Sequence, residues 1–545
     1  MHTWRKRFDL ALAAFFVVLV LAPGLGWLAG FPGFFNLNEK RAPAPLPALP
    51  AGLEEAAGLP KAFEAAFNDR FGLRNDGIVL NNVMDYFLLG RSPSSTVVRG
   101  RDGWLYLPAS IRYRQMPPYP KAQVDAGQAY VKGMQDWLAG RGAAYFLTVA
   151  PNKASIHPAH LPASVSLPPH PSRYEQLRER LTRAGLPLID LQAPLRAAAK
   201  AGPVYSRTDT HWNGDGRFVG YQALLKALND RGFGSPPLPK TAFSRTEEPH
   251  PGYDLAAMIG LEALLPETLI RHVPAGPCAR LRPRPEFLGR KWTREGLPLS
   301  FSCPGGSGRL LFIGDSFIMD GELPGLLAEH FEEVLVVHHI HLPLGLGTLI
   351  PVIEEFRPDA VIEETVERYL AKPLQLEPGF ARQAELDRLY QRLPGRPLGL
   401  AGEKFSALRA ENGPAPQLEA RGLVLRTDSP APRLVLPPVE LAPENPAILR
   451  VDITSPERTT LGLVAGGQAD TAAPLPSATL LPGRNVVYLA LPEAGRARPV
   501  RLAVAGTAGE YVLHGLAIRD ASPHTGRGLP ALPLLLGGTG PTEVP

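Results

Sequence analysis

Short, continuous apolar runs at 143–149, 186–191, 310–313, 334–338 and 360–363 alternate with helix-period segments at 172–184, 218–229 and 322–330. Runs this short and this uniformly apolar predict buried strands. Their alternation with helices predicts an α/β domain, a parallel sheet flanked by helices, over 96–395. Between 232 and 308 the pattern becomes irregular and proline-rich, as expected of an insertion in that domain. Beyond about Gly395 the helical period is lost. Segments 447–453, 460–464, 485–491, 500–504 and 510–518 alternate apolar and polar positions between Gly and Pro turns. That alternation predicts an all-β sandwich over 396–521, followed by a loose tail at 522–545.

The N-terminal pattern is of another kind. Arg5, Lys6 and Arg7 precede an uncharged run from Leu10 to Gly30, roughly 31 Å long as a helix and close to the thickness of a bilayer core. The expectation is a transmembrane signal anchor at 10–30 with residues 1–9 cytoplasmic, so that the rest of the chain lies in the periplasm as a single-pass protein of the bacterial inner membrane. A cleaved signal is the alternative, because 10–22 followed by Pro23 and Gly24 also has the form of a signal h-region, although no Ala-x-Ala site follows. Residues 42–50 alternate proline, alanine and leucine and predict a stiff spacer that lifts the next segment off the membrane. Phe63, Phe67 and Phe71 recur at i, i+4 and i+8, and Val79, Val83 and Phe87 follow. Two amphipathic helices packed on the main domain are expected within the 31–95 linker.

Composition narrows the function classes. The 545 residues are 45% hydrophobic and 20% charged, the balance of a globular chain of two to four domains. The 54 glycines and 60 prolines imply many turns. The net charge of +5 is diffuse, with no basic block beyond Arg5 to Arg7, so nucleic acid is not an expected partner. Two cysteines exclude a disulfide scaffold and a cysteine zinc site and leave one disulfide, Cys278 with Cys303, open to the chain. No Gly-rich loop ending in Lys-Ser/Thr is present for phosphate. His338, His339 and His341 cluster, but metal binding would need further ligands such as His157 or His160. They are expected as packing or rim residues, with no metal and no cofactor.

The strongest chemical signal is Leu310-Leu311-Phe312-Ile313-Gly314-Asp315-Ser316-Phe317, an apolar strand ending in Gly-Asp-Ser and leading into a helical pattern. A serine there stands at the carboxyl edge of a parallel sheet, where open α/β folds place their sites; the bland alternative is a helix cap. A serine hydroxyl needs a base, usually an imidazole held by a carboxylate. Tyr205-Ser206-Arg207-Thr208-Asp209-Thr210-His211-Trp212 supplies that pair. With Asp209 two residues before His211 on a turn, the carboxylate reaches Nδ1 and Nε2 is left for Ser316.

These residues, together with Asn38-Glu39-Lys40-Arg41, Phe67-Asn68-Asp69-Arg70-Phe71-Gly72-Leu73-Arg74, Gly100-Arg101-Asp102-Gly103-Trp104-Leu105-Tyr106, Pro151-Asn152-Lys153 and Glu367-Arg368, give a chain that resembles the SGNH-hydrolase-like alginate O-acetyltransferases of the AlgJ and AlgX type. The resemblance runs from about 35 to 370. It implies a periplasmic domain that transfers acetyl groups to an exopolysaccharide, with the Asp-x-His pair placed before the serine. By position, Ser316 is then the nucleophile, His211 the base and Asp209 its orienter. The C-terminal sandwich is similar in placement to the carbohydrate-binding module of the AlgX arrangement, while the long insertion departs from the pattern. An acetyl donor delivered by a membrane-bound O-acyltransferase partner is implied by the resemblance alone.

The mechanism assigns two donors to the oxyanion, the Ser316 amide and Asn152, the latter otherwise only a strand terminator. Lys153 and Arg368 are candidate contacts to an anionic sugar, against solvated surface and a Glu367–Arg368 salt bridge. Tyr205 and Trp212 are candidates for stacking on a sugar ring, against core packing. The rivals to an O-acetyltransferase are an acetylesterase with the same triad and a non-enzymatic polysaccharide-binding scaffold.

Overall fold

A computed structural model of the chain describes residues 2–521 apart from 32, 36–41, 51, 285, 289, 292–297, 320, 340–344, 394–397, 412–413, 428–432, 438–445, 465–475, 492–499 and 505–508. The expected tail, the motif at 38–41 and His341 lie outside the described residues. The central sheet is built from β1 (Ala144–Ala150), β2 (Leu188–Ile189), β3 (Arg280–Pro283), β4 (Leu299–Ser302), β5 (Arg309–Gly314), β6 (Glu333–His338) and β7 (Ala360–Val366), in the spatial order β2-β1-β7-β5-β6-β4-β3. The pairs from β2 to β6 are parallel. The uniform apolarity of these strands follows from the pleat, which sends successive side chains to opposite faces. Leu310 and Phe312 enter one core with Val334, Val336 and Ile362, and Leu311 and Ile313 enter a second with Leu335, Val337 and Val361.

The insertion is more than an ornament. β4 pairs antiparallel with β6 and with β3, so two of the insertion's strands widen the sheet. Cys278 and Cys303 are disulfide-bonded with Cα atoms 5.1 Å apart, tying the entry of β3 to the exit of β4. Its first half forms a hairpin, Phe243–His250 with Glu267–Pro274.

The C-terminal region is two facing antiparallel sheets around Leu449, Val451, Ile453 and Leu513. Strand Ala447–Ser455 sends Leu449, Val451 and Ile453 into the sandwich, while from its otherwise polar face Ile448, with Val486 and Tyr488, joins the second core of the central sheet, around helix Leu346–Phe356. Gln383, on helix Phe380–Arg392, makes two backbone hydrogen bonds of 2.9 Å with Tyr488. Arg450 pairs with Glu354 at 2.6 Å.

Helix His2–Leu28 contains an apolar stretch, Lys6–Trp27, long enough to cross a membrane. Two expectations for the linker need correction. Residues 42–50 do not extend away, because the Ala44 N–H donates to Asp69 Oδ2 at 2.7 Å and Arg70 donates to the Ala44 carbonyl. The spacer is folded back along helix Leu53–Arg70. The phenylalanine stripe does not pack inward either: Phe63 is 56% and Phe87 52% exposed. Val79 and Val83 turn inward as expected, with Tyr86 in place of Phe87; Tyr86 and Val83 join a small core with Leu255 and Ile259.

Candidate active site

Residues 206–211 form a closed turn. Tyr205 and Trp212 pair across its base, and the Asn213 N–H donates to the Val204 carbonyl at 3.1 Å. Inside it, Asp209 Oδ1 accepts from the His211 N–H at 3.0 Å and lies 2.8 Å from Nδ1. His211 Nε2 is 2.9 Å from Ser316 Oγ. The structure therefore brings the three sequence-predicted residues into one hydrogen-bonded line.

Ser316 follows β5. Gly314 ends that strand where a Cβ would stand 2.5 Å from Glu364 Oε2 and 2.7 Å from Ile318 Cδ1, so a larger residue there would force the Glu364 and Ile318 side chains to move. Asp315 is buried, and its carboxylate accepts from the Phe317 N–H at 3.1 Å and the Val366 N–H at 2.8 Å. These bonds hold the turn and leave Ser316 exposed, its own N–H without a partner among the described residues. The order is the expected strand, turn and helix: a turn runs to 319, and helix Glu322–Ala328 begins after Gly321, at φ +79°. Ser316 is thus not its cap.

Burial alone would lower the His211 pKa, but the hydrogen bond and charge of Asp209 outweigh it and hold the imidazole above its ordinary value. Burial pushes Asp209 up, and His211 more than reverses that, leaving it low. Sequence reasoning missed the next group, Asp254, which lies in the insertion. Its Oδ1 accepts the Thr210 N–H at 2.8 Å and its Oδ2 the Thr210 hydroxyl. Burial and then the Asp209 charge push the Asp254 pKa up. The same segment grips Thr208: the Leu255 N–H donates to its carbonyl at 3.0 Å and the Tyr253 N–H to its hydroxyl at 3.0 Å.

Ligand atoms of Asp209, His211 and Asp254 lie within 4.8 Å of one another, a spacing that a metal ion could use. They are the same groups that form the line to Ser316. Cys278, Cys303 and Glu329 are also close, but both sulfurs are spent in the disulfide. Among the described residues, His338 and His339 belong to no such group.

Lys153 is buried, not a surface contact. Its Nζ donates to the carbonyls of Ser206 at 3.1 Å and Arg207 at 2.9 Å, and also to that of Asp209. The rings of Trp104 and Tyr106 flank it at 5.5 and 5.3 Å. Burial pushes its pKa down to about 7. It is an internal brace of the Asp209–His211 turn, too deep to meet a sugar. Trp212 and Tyr205 need the same correction: at 1% and 0% exposure neither offers a face for stacking. Trp212 meets Phe317 edge-on at 5.1 Å, and the Tyr205 hydroxyl donates to the Pro151 carbonyl.

Trp212→Ala is therefore expected to cost about 3–5 kcal/mol of stability through the cavity it leaves, measured by denaturant unfolding. Unchanged stability with a raised acceptor KM would restore a substrate-binding role.

Arg368 is partly exposed, its guanidinium 5.9 Å above the Phe317 ring. The Glu367–Arg368 salt bridge is not formed: Glu367 is fully buried, accepts the Asn152 N–H at 2.8 Å, and is pushed by burial up to about 7. Asn152 stands just past β1, two strands from β5 at the same sheet edge. Both polar atoms of its buried amide lack partners among the described residues.

A sequence profile described as "SGNH hydrolase-like domain, acetyltransferase AlgX" matches residues 97–280, a stretch that contains Asp209 and His211 and ends before Ser316. The protein named "Probable alginate O-acetylase AlgJ" of Pseudomonas aeruginosa is 30% identical over 293 residues, 53% of this chain and 67% of that protein. Its namesake in Azotobacter vinelandii is 26% identical over 385 residues, 66% of this chain and 89% of that protein. Among solved structures, the O-acetyltransferase domain of Pseudomonas putida AlgJ superposes with a TM-score of 0.34 at 22% identity, covering 52% of this chain and 93% of that domain. With two thirds of the Pseudomonas aeruginosa protein matched at that identity, the chain belongs to the AlgJ/AlgX family of SGNH-hydrolase-like proteins.

Proposed function

We propose that the chain is a periplasmic, membrane-anchored O-acetyltransferase that modifies a secreted polysaccharide through an acetyl-serine on Ser316. The observation that carries this is the hydrogen-bonded line from Ser316 Oγ through His211 to Asp209. Ser316 Oγ attacks the carbonyl carbon of the acetyl donor while its proton passes to His211 Nε2, and Asp209 stabilises the imidazolium. The bond from the acetyl carbon to the leaving group breaks, and that group departs with the proton from His211. A sugar hydroxyl then attacks the acetyl-serine and gives its proton to His211. Collapse of the second intermediate releases the sugar ester and returns the proton to Ser316. Both intermediates carry an oxyanion, for which the Ser316 N–H and the Asn152 amide, neither partnered among the described residues, are the proposed donors.

The acceptor class follows from family and charge together. The relatives are named for alginate, a polyanion, and Arg368 offers a partly exposed cation beside Phe317. The donor is expected from a membrane-bound O-acyltransferase, to which helix His2–Leu28 would keep the chain close. The exposure of Ser316 suits a polymer acceptor, and it also admits water, which favours the acetylesterase as second reading.

The full chain in detergent, given an activated acetyl ester with deacetylated polyuronate or a neutral glucan, separates the cases. Acetyl esters on the polyuronate in excess of free acetate are expected. Free acetate alone would mark an esterase, and no turnover of the ester would leave a binding scaffold.

A further inference from the structure

Helix Arg74–Val83 continues as one wider, π-type turn through Met84–Leu88, and it carries two apolar stripes where a surface helix needs one. Val79, Val83 and Tyr86 form the first, and Val83 and Tyr86 pack in the small core with Leu255 and Ile259. The Asn82 amide donates to the Ile259 carbonyl at 2.7 Å and fixes that side. Leu80, Met84, Phe87 and Leu88, at i, i+4, i+7 and i+8, form the second. They are 63%, 48%, 52% and 75% exposed, and Leu89 beyond them is 60% exposed. A contiguous exposed apolar face of this kind calls for an occupant.

What lies at the start of this helix identifies the occupant. The Phe34 N–H donates to Asp76 Oδ1 at 2.9 Å, and the Asn75 amide to the Phe35 carbonyl at 3.3 Å. The first turn is thereby tied to the residues just past Trp27, where the apolar stretch ends. Gly72 abuts that stretch directly: a Cβ there would lie 2.3 Å from the Pro23 carbonyl oxygen and 2.6 Å from the Trp27 nitrogen. The folded-back spacer, bonded through Ala44 to Asp69 and Arg70, adds no separation.

We propose that Leu80, Met84, Phe87 and Leu88 are inserted in the acyl–headgroup boundary of the bilayer that helix His2–Leu28 spans, making helix Arg74–Leu88 an interfacial helix. The proposal rests on the membrane-span reading of His2–Leu28. Its consequence is a short path from lipid to chemistry. The inner stripe touches Leu255, and the preceding residue, Asp254, holds Thr210 beside His211. The serine site is then carried close to the leaflet from which a membrane-borne donor would be presented.

The test uses the full chain in nanodiscs of phosphatidylethanolamine and phosphatidylglycerol. Single cysteines replace Leu12, Phe87 or Arg183, each labelled with bimane, and the lipids carry a shallow doxyl quencher. The native cysteines are both disulfide-bonded and take no label. Several-fold quenching is expected at Leu12 and Phe87, with none at Arg183, an exposed side chain of the α/β domain. Leu80→Glu together with Leu88→Glu is expected to return the Phe87 label to the brightness of the Arg183 label. Quenching at Leu12 with Phe87 as bright as Arg183 would overturn the interfacial helix while leaving the span intact. An unquenched Leu12 would remove the span and the proposal with it.

Discussion

Ser316→Ala is expected to lower acetyl transfer about 10⁶-fold, because the variant lacks the hydroxyl on which the acetyl-serine is proposed to form. The side chain is exposed, and its hydroxyl is hydrogen-bonded to His211, so folding stability should move by no more than about 0.5 kcal/mol. Three readouts check this together: turnover of an activated acetyl ester, an acetyl adduct in the intact mass, and labelling by a sulfonyl fluoride. Wild-type protein should show all three and the variant none. Transfer within tenfold of wild type would remove Ser316 from the chemistry, whatever its distance to His211.

Asp209→Asn should cost about 10⁴-fold in kcat and, more tellingly, move the pH profile. His211 acts as a base only when neutral, so activity rises with pH through its pKa. Asp209 holds that pKa above the ordinary 6.5 against the opposing effect of burial, which places the acidic limb of the wild-type profile above pH 6.5. Without the carboxylate charge, burial is no longer outweighed and the limb moves to lower pH even as the plateau collapses. The same sign applies to stability. A histidine whose folded pKa is raised favours the fold at low pH, and that contribution fades as pH climbs through the folded pKa. A limb that stays in place in the variant would show that Asp209 does not set the imidazole.

The strands and the three residues of the line were legible because both are local signals. Strand runs announce themselves by unbroken apolarity, and Gly314-Asp315-Ser316 and Asp209-Thr210-His211 each hold their chemistry within three positions. What escaped was set by distant partners. Lys153 finds its acceptors 53 to 56 positions later, and nothing beside it in the chain marks a lysine that will be buried. Asp254 reaches Thr210 across 44 positions, from a segment whose irregular pattern hid its role. Trp212 and Tyr205 flank a polar turn, and such a turn is compatible with aromatics facing either water or the core; the pairing of Tyr205 with Trp212 across its base put them inside. β3 and β4 were missed because they are four residues each, and arginines interrupt β3. The linker helices and the inward turn of Val79 and Val83 are legible in the period, whereas the exposure of Phe63 and Phe87 is not.

Gln383 makes two backbone hydrogen bonds to Tyr488, and Ile448, Val486 and Tyr488 share a core with Leu349 and Ile353. The chain consequently has no natural seam near residue 395 at which to cut. A catalytic fragment ending there would bare the apolar side of helix Leu346–Phe356, and an isolated sandwich would present strand Gly483–Ala490 as an open edge, ready to pair with another copy. The two lobes should melt in a single transition, and the practical unit for expression is the whole chain.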